Sequence, residues 1–351
     1  MCTPENAASA PRLQDGDQQD KSEFVAAFHL RFLAIGFYSI VLAARMLDRH
    51  DALNLQNSGS VRMSHLPLSL PNGISSRLAR PIGRREMLLW IAVALFANQA
   101  IQVLDFGSLS ALGTSLANQN YIYWFGCYVV LYRISASDDQ TSAESADWYF
   151  AFAMMLAILL SSFIAYRFAI GFLATAMALY LLLFRRADRE LKAAGVVILA
   201  LSAHLVWGPI LFQFLTPELL RADAALVGGM LKVVRPDIIW TDTTFQTPGN
   251  FAISLVGACS SFHDLSTALL ACAAATMYMR TDWIRSDAVR IAAAGVAMIF
   301  INDARLCLLA WNKANYDFWH GGAGAPLIGF VTTIVLLTIA FWGVRPGNSR
   351  A

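Results

Sequence analysis

Three side chains in the last third of this chain have the chemistry for attack on a carbonyl. Cys259 lies in Gly257-Ala258-Cys259-Ser260-Ser261, Arg305 in Asn302-Asp303-Ala304-Arg305, and His320 before Gly321-Gly322. A thiolate attacks an acyl carbon, an imidazole carries a proton, and a guanidinium steadies an anion. Together they point to acyl transfer through a thioester. Ser260 and Ser261 follow the thiol at what reads as the start of a helix, where the helix N-terminus lowers a thiol pKa. Asn302 is on the same helical face as Arg305, placed to orient it or to hold a substrate carbonyl. Taken singly, each has a plainer reading. Cys259 is a small buried residue. Arg305 pairs with Asp303, Asp264 or Asp317, or snorkels to the interface. His320 is an interfacial side chain beside Trp319. The constellation is what gives them weight.

The elements that must position the trio are apolar. The 351 residues are 57% hydrophobic and 14% charged, with mean hydropathy +0.52. Soluble domains carry about 25% charged residues, so this is an integral membrane protein. A helix needs about 20 apolar residues to cross the hydrocarbon core. Eight runs read as spans: Met87–Leu104, Leu112–Ile134, Trp148–Tyr166, Phe168–Phe184, Ala193–Leu215, Ser260–Met279, Ile291–Trp311 and Pro326–Val344. Phe24–Leu47 carries His29, Arg31 and Arg45 and reads as either a ninth span or an interfacial helix. Residues 1–23 are polar and acidic without an apolar stretch, a disordered tail and not a secretory signal. Residues 48–86 form a polar loop, and 345–351 a short tail. The expected fold is an all-α polytopic bundle. Between 216 and 258 lie an amphipathic stretch, Leu219–Val234, and a short hairpin formed by Ile238–Phe245 and Phe251–Val256, just before the cysteine.

Lys and Arg counts in short loops set the orientation. The 185–192 and 280–290 connections and the C-terminal tail are basic, so they read as cytoplasmic. The 77–85 arginines fit the same side. That places Cys259, Arg305 and His320 together at the outer membrane boundary. Cys127, Cys272 and Cys307 lie inside apolar runs and read as buried hydrophobes. No CxxC pair or ligand cluster calls for a metal, no cofactor is expected, and a net charge of +2 argues against a nucleic-acid partner.

Ala258-Cys259-Ser260 at a span start, Asn302-x-x-Arg305 in the next span and His320 before the last resemble the exosortase/archaeosortase family. That resemblance implies a membrane cysteine transpeptidase, with Cys259, Arg305 and His320 catalytic and Asn302, Ser260 and Ser261 beside them. Its partners would be exported proteins with a C-terminal sorting signal, such as Pro-Glu-Pro followed by a transmembrane helix and basic residues. The protein would sit in the bacterial inner membrane with its site facing the periplasm, and pass the cleaved chain to an acceptor. The family often has Glu two residues before the cysteine and Gly two after it; here those positions are Gly257 and Ser261. Two other classes remain open: a small-solute transporter, and a non-enzymatic membrane protein of envelope polysaccharide assembly.

Overall fold

The structure is a computed structural model that describes residues 3–4, 83–104, 108, 120–139, 141–163, 168–183, 188–248 and 251–345. The Phe24–Leu47 segment and most of the loop after it lie outside the described residues. In chain order the elements are β1 (Thr3–Pro4), α1 (Arg84–Val103), α2 (Tyr121–Ala136), α3 (Ser145–Phe163), α4 (Phe168–Leu183) and α5 (Arg189–Ser202). A π-helical turn, Ala203–Trp207, leads into α6 (Gly208–Val234). Then come β2 (Ile239–Thr241), β3 (Thr244–Gln246), β4 (Ala252–Ser254) and a 3₁₀ turn, Gly257–Cys259. The helices α7 (Leu265–Met279), α8 (Arg285–Trp311), α9 (Lys313–His320) and α10 (Gly324–Phe341) follow.

The chain divides into two compact units. The smaller one holds most of α1 together with α3. Two polar clasps tie these helices. Arg84 meets Asp147 at 3.3 Å and Asp139 at 3.0 Å. Further along, Asn98 donates to Ser161 Oγ at 2.9 Å and accepts from Ser162 Oγ at 3.1 Å. The clasps lie about 21 Å apart along α1 at 1.5 Å per residue, so they fix its register against α3.

The larger unit is built around α7, which packs against α2, α5, α8 and α10. Its Leu-Ala-Cys-Ala-Ala-Ala-Thr-Met stretch, 270–277, is buried throughout. Small side chains let neighbouring helices approach closely, and in a bilayer that contact replaces the hydrophobic drive. At Gly208 an added Cβ would lie 2.9 Å from the Ala203 carbonyl and 3.1 Å from Ser266 Cβ, so only glycine allows α7 to pass the π turn. At the other end of α7, Arg133 donates to the Met277 carbonyl and, at 3.0 Å, to the Tyr278 carbonyl. These are the carbonyls that a helix leaves unpaired at its C-terminus.

β3 and β4 pair antiparallel, with Phe245 opposite Ile253. β2 adds beyond β3, and β1 beyond β4, in the order β1-β4-β3-β2. The turn between β2 and β3 holds Asp242 at φ 51°, a left-handed position that Asp tolerates better than most residues.

Among the described residues five helical stretches are long and apolar enough to cross a membrane: α1, α3, the run Arg189–Val234, α8 and α10. The sequence reads as eight or nine spans; five of those runs meet the length, and the others hold shorter helices or lie wholly or partly outside the described residues. α4 is apolar with 16 described residues, and 164–167 and 184–187 on either side of it lie outside the described residues. α7 starts at Leu265 and not at Ser260, and α2 starts at Tyr121. Ala193–Leu215 and the amphipathic stretch after it are not separate elements. They run on through the π turn and Pro217 as one rod to Val234.

Candidate active site

Cys259 closes the 3₁₀ turn, its N–H bonded to the Val256 carbonyl at 2.8 Å. The side chain is 7% exposed and lies in an apolar cluster with Val227, Phe245, Leu255, Leu306 and Tyr316. Cys259 is disulfide-bonded in this structure, so chemistry at its sulfur requires reduction first. The helix that was expected to start beside it starts at Leu265 instead. A helix dipole acts only over its first turn, so α7 is too far along to activate this thiol. Polar and charged groups reach this turn from other elements.

Asn302 is the link to them. Its Nδ2 donates to the Cys259 carbonyl at 2.8 Å and to Ser261 Oγ at 3.1 Å. One turn on, Arg305 Nη2 reaches the Trp319 carbonyl at 3.5 Å. His320 is the next residue, the last of the eight-residue helix α9 and not a loop position. Its ring stacks on Tyr316 at 4.8 Å and 25°, and Phe251 meets Tyr316 edge-on at 5.8 Å. Burial, and then the positive charge of Arg305, hold the His320 pKa below its ordinary value. Neutral imidazole is therefore the dominant form at neutral pH.

The plain explanation of Arg305 was a carboxylate partner. Asp317 instead pairs with Lys313 at 2.7 Å, and Asp303 takes the Ser261 hydroxyl at 2.6 Å. Asp264 is the acid whose charge reaches Arg305. The guanidinium Nε is buried with no hydrogen-bond partner among the described residues. Arg305 and Asn302 line a cavity of about 610 Å³, whose other polar walls include Asn120, His204, Asp264 and Thr267. His204 lies on the π turn, within 3.2 Å of Ser266 Oγ and 3.3 Å of Thr267 Oγ1. π turns often mark functional positions, and an ionisable residue inside an apolar run was the sequence signal for it.

The serines after the cysteine are held from two helices. Ser260 Oγ and Ser261 N both donate to Asp223 Oδ2 on α6, the latter at 3.0 Å. Asp223 did not stand out in the sequence, although an aspartate inside an apolar helix is the kind of residue to question. The structure thus links Cys259, Ser260, Ser261, Asn302 and Arg305, with His320 next to the residue that Arg305 contacts. Among the described residues no cluster of three metal-ligating side chains occurs.

A family model described as transmembrane exosortase matches residues 112–338. The chain belongs to the transmembrane exosortase family. That match covers most of the larger unit and every residue of the candidate site. No curated protein and no solved structure matches the chain.

Proposed function

We propose that this exosortase-family protein is a membrane cysteine peptidase or transpeptidase. It cuts a C-terminal sorting signal of exported proteins at the outer face of the bacterial inner membrane. One observation carries the reading: the Asn302 amide holds the backbone of Cys259 while Arg305, on the same face of α8, keeps its Nε unpartnered beside a polar cavity. A guanidinium that lines a cavity without an acid at ion-pair distance is placed to meet an anion that a substrate brings.

In the proposed reaction, neutral His320 takes the proton from the reduced Cys259 thiol. The sulfur attacks the substrate's peptide carbonyl. Arg305 stabilises the negative charge that builds on the carbonyl oxygen. As the C–N bond breaks, His320 passes the proton to the leaving amine and an acyl thioester remains on Cys259. An acceptor nucleophile or water then resolves it and regenerates the thiol. The basic connections at 185–192 and 280–290 support a cytoplasmic position for those loops, and hence a periplasmic position for the site.

The test is co-expression, under conditions that keep Cys259 reduced, with a reporter that ends in Pro-Glu-Pro, an apolar helix and basic residues. Wild type should shorten the reporter, and an acyl-enzyme should be trapped on Cys259 and released by hydroxylamine. Cys259→Ala at normal protein level should leave the reporter whole. Unchanged processing by Cys259→Ala would overturn the reading.

A further inference from the structure

We propose that Asp223 and Asp303 are positioning residues that hold the Cys259–Ser261 turn in its reactive geometry, an inference that rests on the thioester reading above. The turn lies between β4 and α7, where the backbone has only the short 3₁₀ turn, with Cys259 N–H on the Val256 carbonyl and Ser260 N–H on the Gly257 carbonyl, and no sheet ladder. Ser260 and Ser261 are 4% and 1% exposed, and Asp223 and Asp303 are 0% and 3% exposed. Asp223, from α6, accepts from the Ser260 hydroxyl and from the Ser261 N–H. Asp303, from α8, accepts from the Ser261 hydroxyl at 2.6 Å. The same hydroxyl accepts from Asn302 Nδ2, which also holds the Cys259 carbonyl. Ser261 is therefore the middle of a relay from Asn302 N–H through its own O–H to the Asp303 carboxylate. Each bond in such a chain polarises the next.

Two buried carboxylates this close are costly, and their charges face one another. Salt-bridge formation does not account for them. Among the described residues no Lys, Arg or His lies within ion-pair distance of either. Their partners are instead the two residues after the cysteine, approached from two separate helices. Without Asp223 the buried Ser261 N–H would lose its acceptor, and the turn would be free to shift away from the Asn302 and Arg305 face. Both carboxylates act through the turn, and neither has to touch substrate.

The experiment uses the full chain in membranes after reduction, with two readouts. One is processing of the Pro-Glu-Pro reporter; the other is alkylation of Cys259 by N-ethylmaleimide, which needs no substrate. In Asp303→Ala and Asp223→Ala, processing should fall about tenfold to a hundredfold, the penalty for misplacing a reacting group. Cys259 alkylation should rise severalfold as the turn loosens. Cys127 and Cys272, 4% and 1% exposed, should stay unlabelled, which separates a loosened turn from an unfolded bundle. Asp303→Asn and Asp223→Asn keep an acceptor oxygen and should restore both readouts most of the way. Ser261→Ala should reproduce Asp303→Ala. Unchanged Cys259 labelling in both alanine variants would overturn the proposal, as would labelling of Cys127 and Cys272 in step with Cys259. So would asparagine variants no better than alanine. A wild-type chain that leaves the reporter whole would sink the thioester reading, while the labelling arm still decides whether these carboxylates hold the turn.

Discussion

At the Met279 end of α7, three arginines each meet a carboxylate. Arg133 pairs with Glu190 at 2.6 Å, while Arg280 and Arg290 share Asp287. Arg133 also donates to the carbonyls that end α7, and Arg290 to the Ala340 carbonyl and, at 2.9 Å, to Thr276 Oγ1, while Arg280 Nε, like Arg305 Nε, is buried with no hydrogen-bond partner among the described residues. Near the Leu265 end, Arg305 has one long contact to a carbonyl and an unpartnered Nε, and faces a cavity. Both environments are partly buried and surrounded by apolar helix, so the cost of holding the charge is of the same kind. In one it is offset by acids within the fold. In the other no acid lies within ion-pair distance among the described residues, and only the charge of Asp264 reaches the guanidinium.

Removing an acid at the paired end should have the largest effect, and it should fall on stability. Asp287 is 1% exposed and also accepts the Ile284 N–H at 2.8 Å, capping α8. Asp287→Ala leaves two arginines uncompensated and should cost about 3–5 kcal/mol. Thermal melting in detergent, with membrane protein level as a second readout, checks this; a wild-type melting curve would show that the pairing is not structural.

The counterpart at the open end is Arg305→Lys. It keeps the charge but replaces the planar fork by a point charge. Protein level and melting should stay as in wild type, while reporter processing falls about 10²- to 10³-fold, as when an oxyanion donor is lost. Full processing at normal level would make Arg305 one more structural cation.

A smaller effect separates the two ends by pH. Because burial and then Arg305 lower the His320 pKa, the unfolded chain binds more protons than the fold between that lowered value and the ordinary value of about 6.5. This contribution to stability is whole above about pH 6.5 and is lost as pH falls through that window. Melting temperature measured between pH 7.5 and 5 should therefore drop more steeply in wild type than in His320→Gln. Processing should decline on the same acid side as the imidazole gains its proton. Identical melting profiles would remove Arg305 and burial as the influences on this ring.

The smallest change belongs to Lys313→Ala. Lys313 and Asp317 form an exposed pair one turn apart on the helix that ends in His320, with side chains 63% and 59% exposed. Such pairs contribute about 0.2–1 kcal/mol or less, so melting and processing should stay close to wild type. A large loss of processing would mean that the Lys313 contacts, to Asp317 and over the Tyr316 ring at 5.9 Å, hold α9 in place.

Local hydropathy was enough, in the sequence alone, to recognise a membrane protein, and the resemblance carried by Ala258-Cys259-Ser260, Asn302-x-x-Arg305 and His320 pointed to the family that the match over residues 112–338 shows. Those are properties of short segments, and burial in lipid depends on the segment itself. The position of Cys259 was decided differently. The polar Ser260-Ser261 pair reads locally as a helix start, yet the helix begins at Leu265, because Asp223 and Asp303 capture those serines from 38 and 42 residues away in the chain. The setting of Arg305 was also settled only by tertiary structure. Three aspartates were candidates to neutralise it, and two of them are turned to other partners, Lys313 and Ser261. Hydropathy is summed along a segment, whereas the pairing of one buried charge depends on which distant helix presents the nearest donor or acceptor, and that is fixed only when the helices pack.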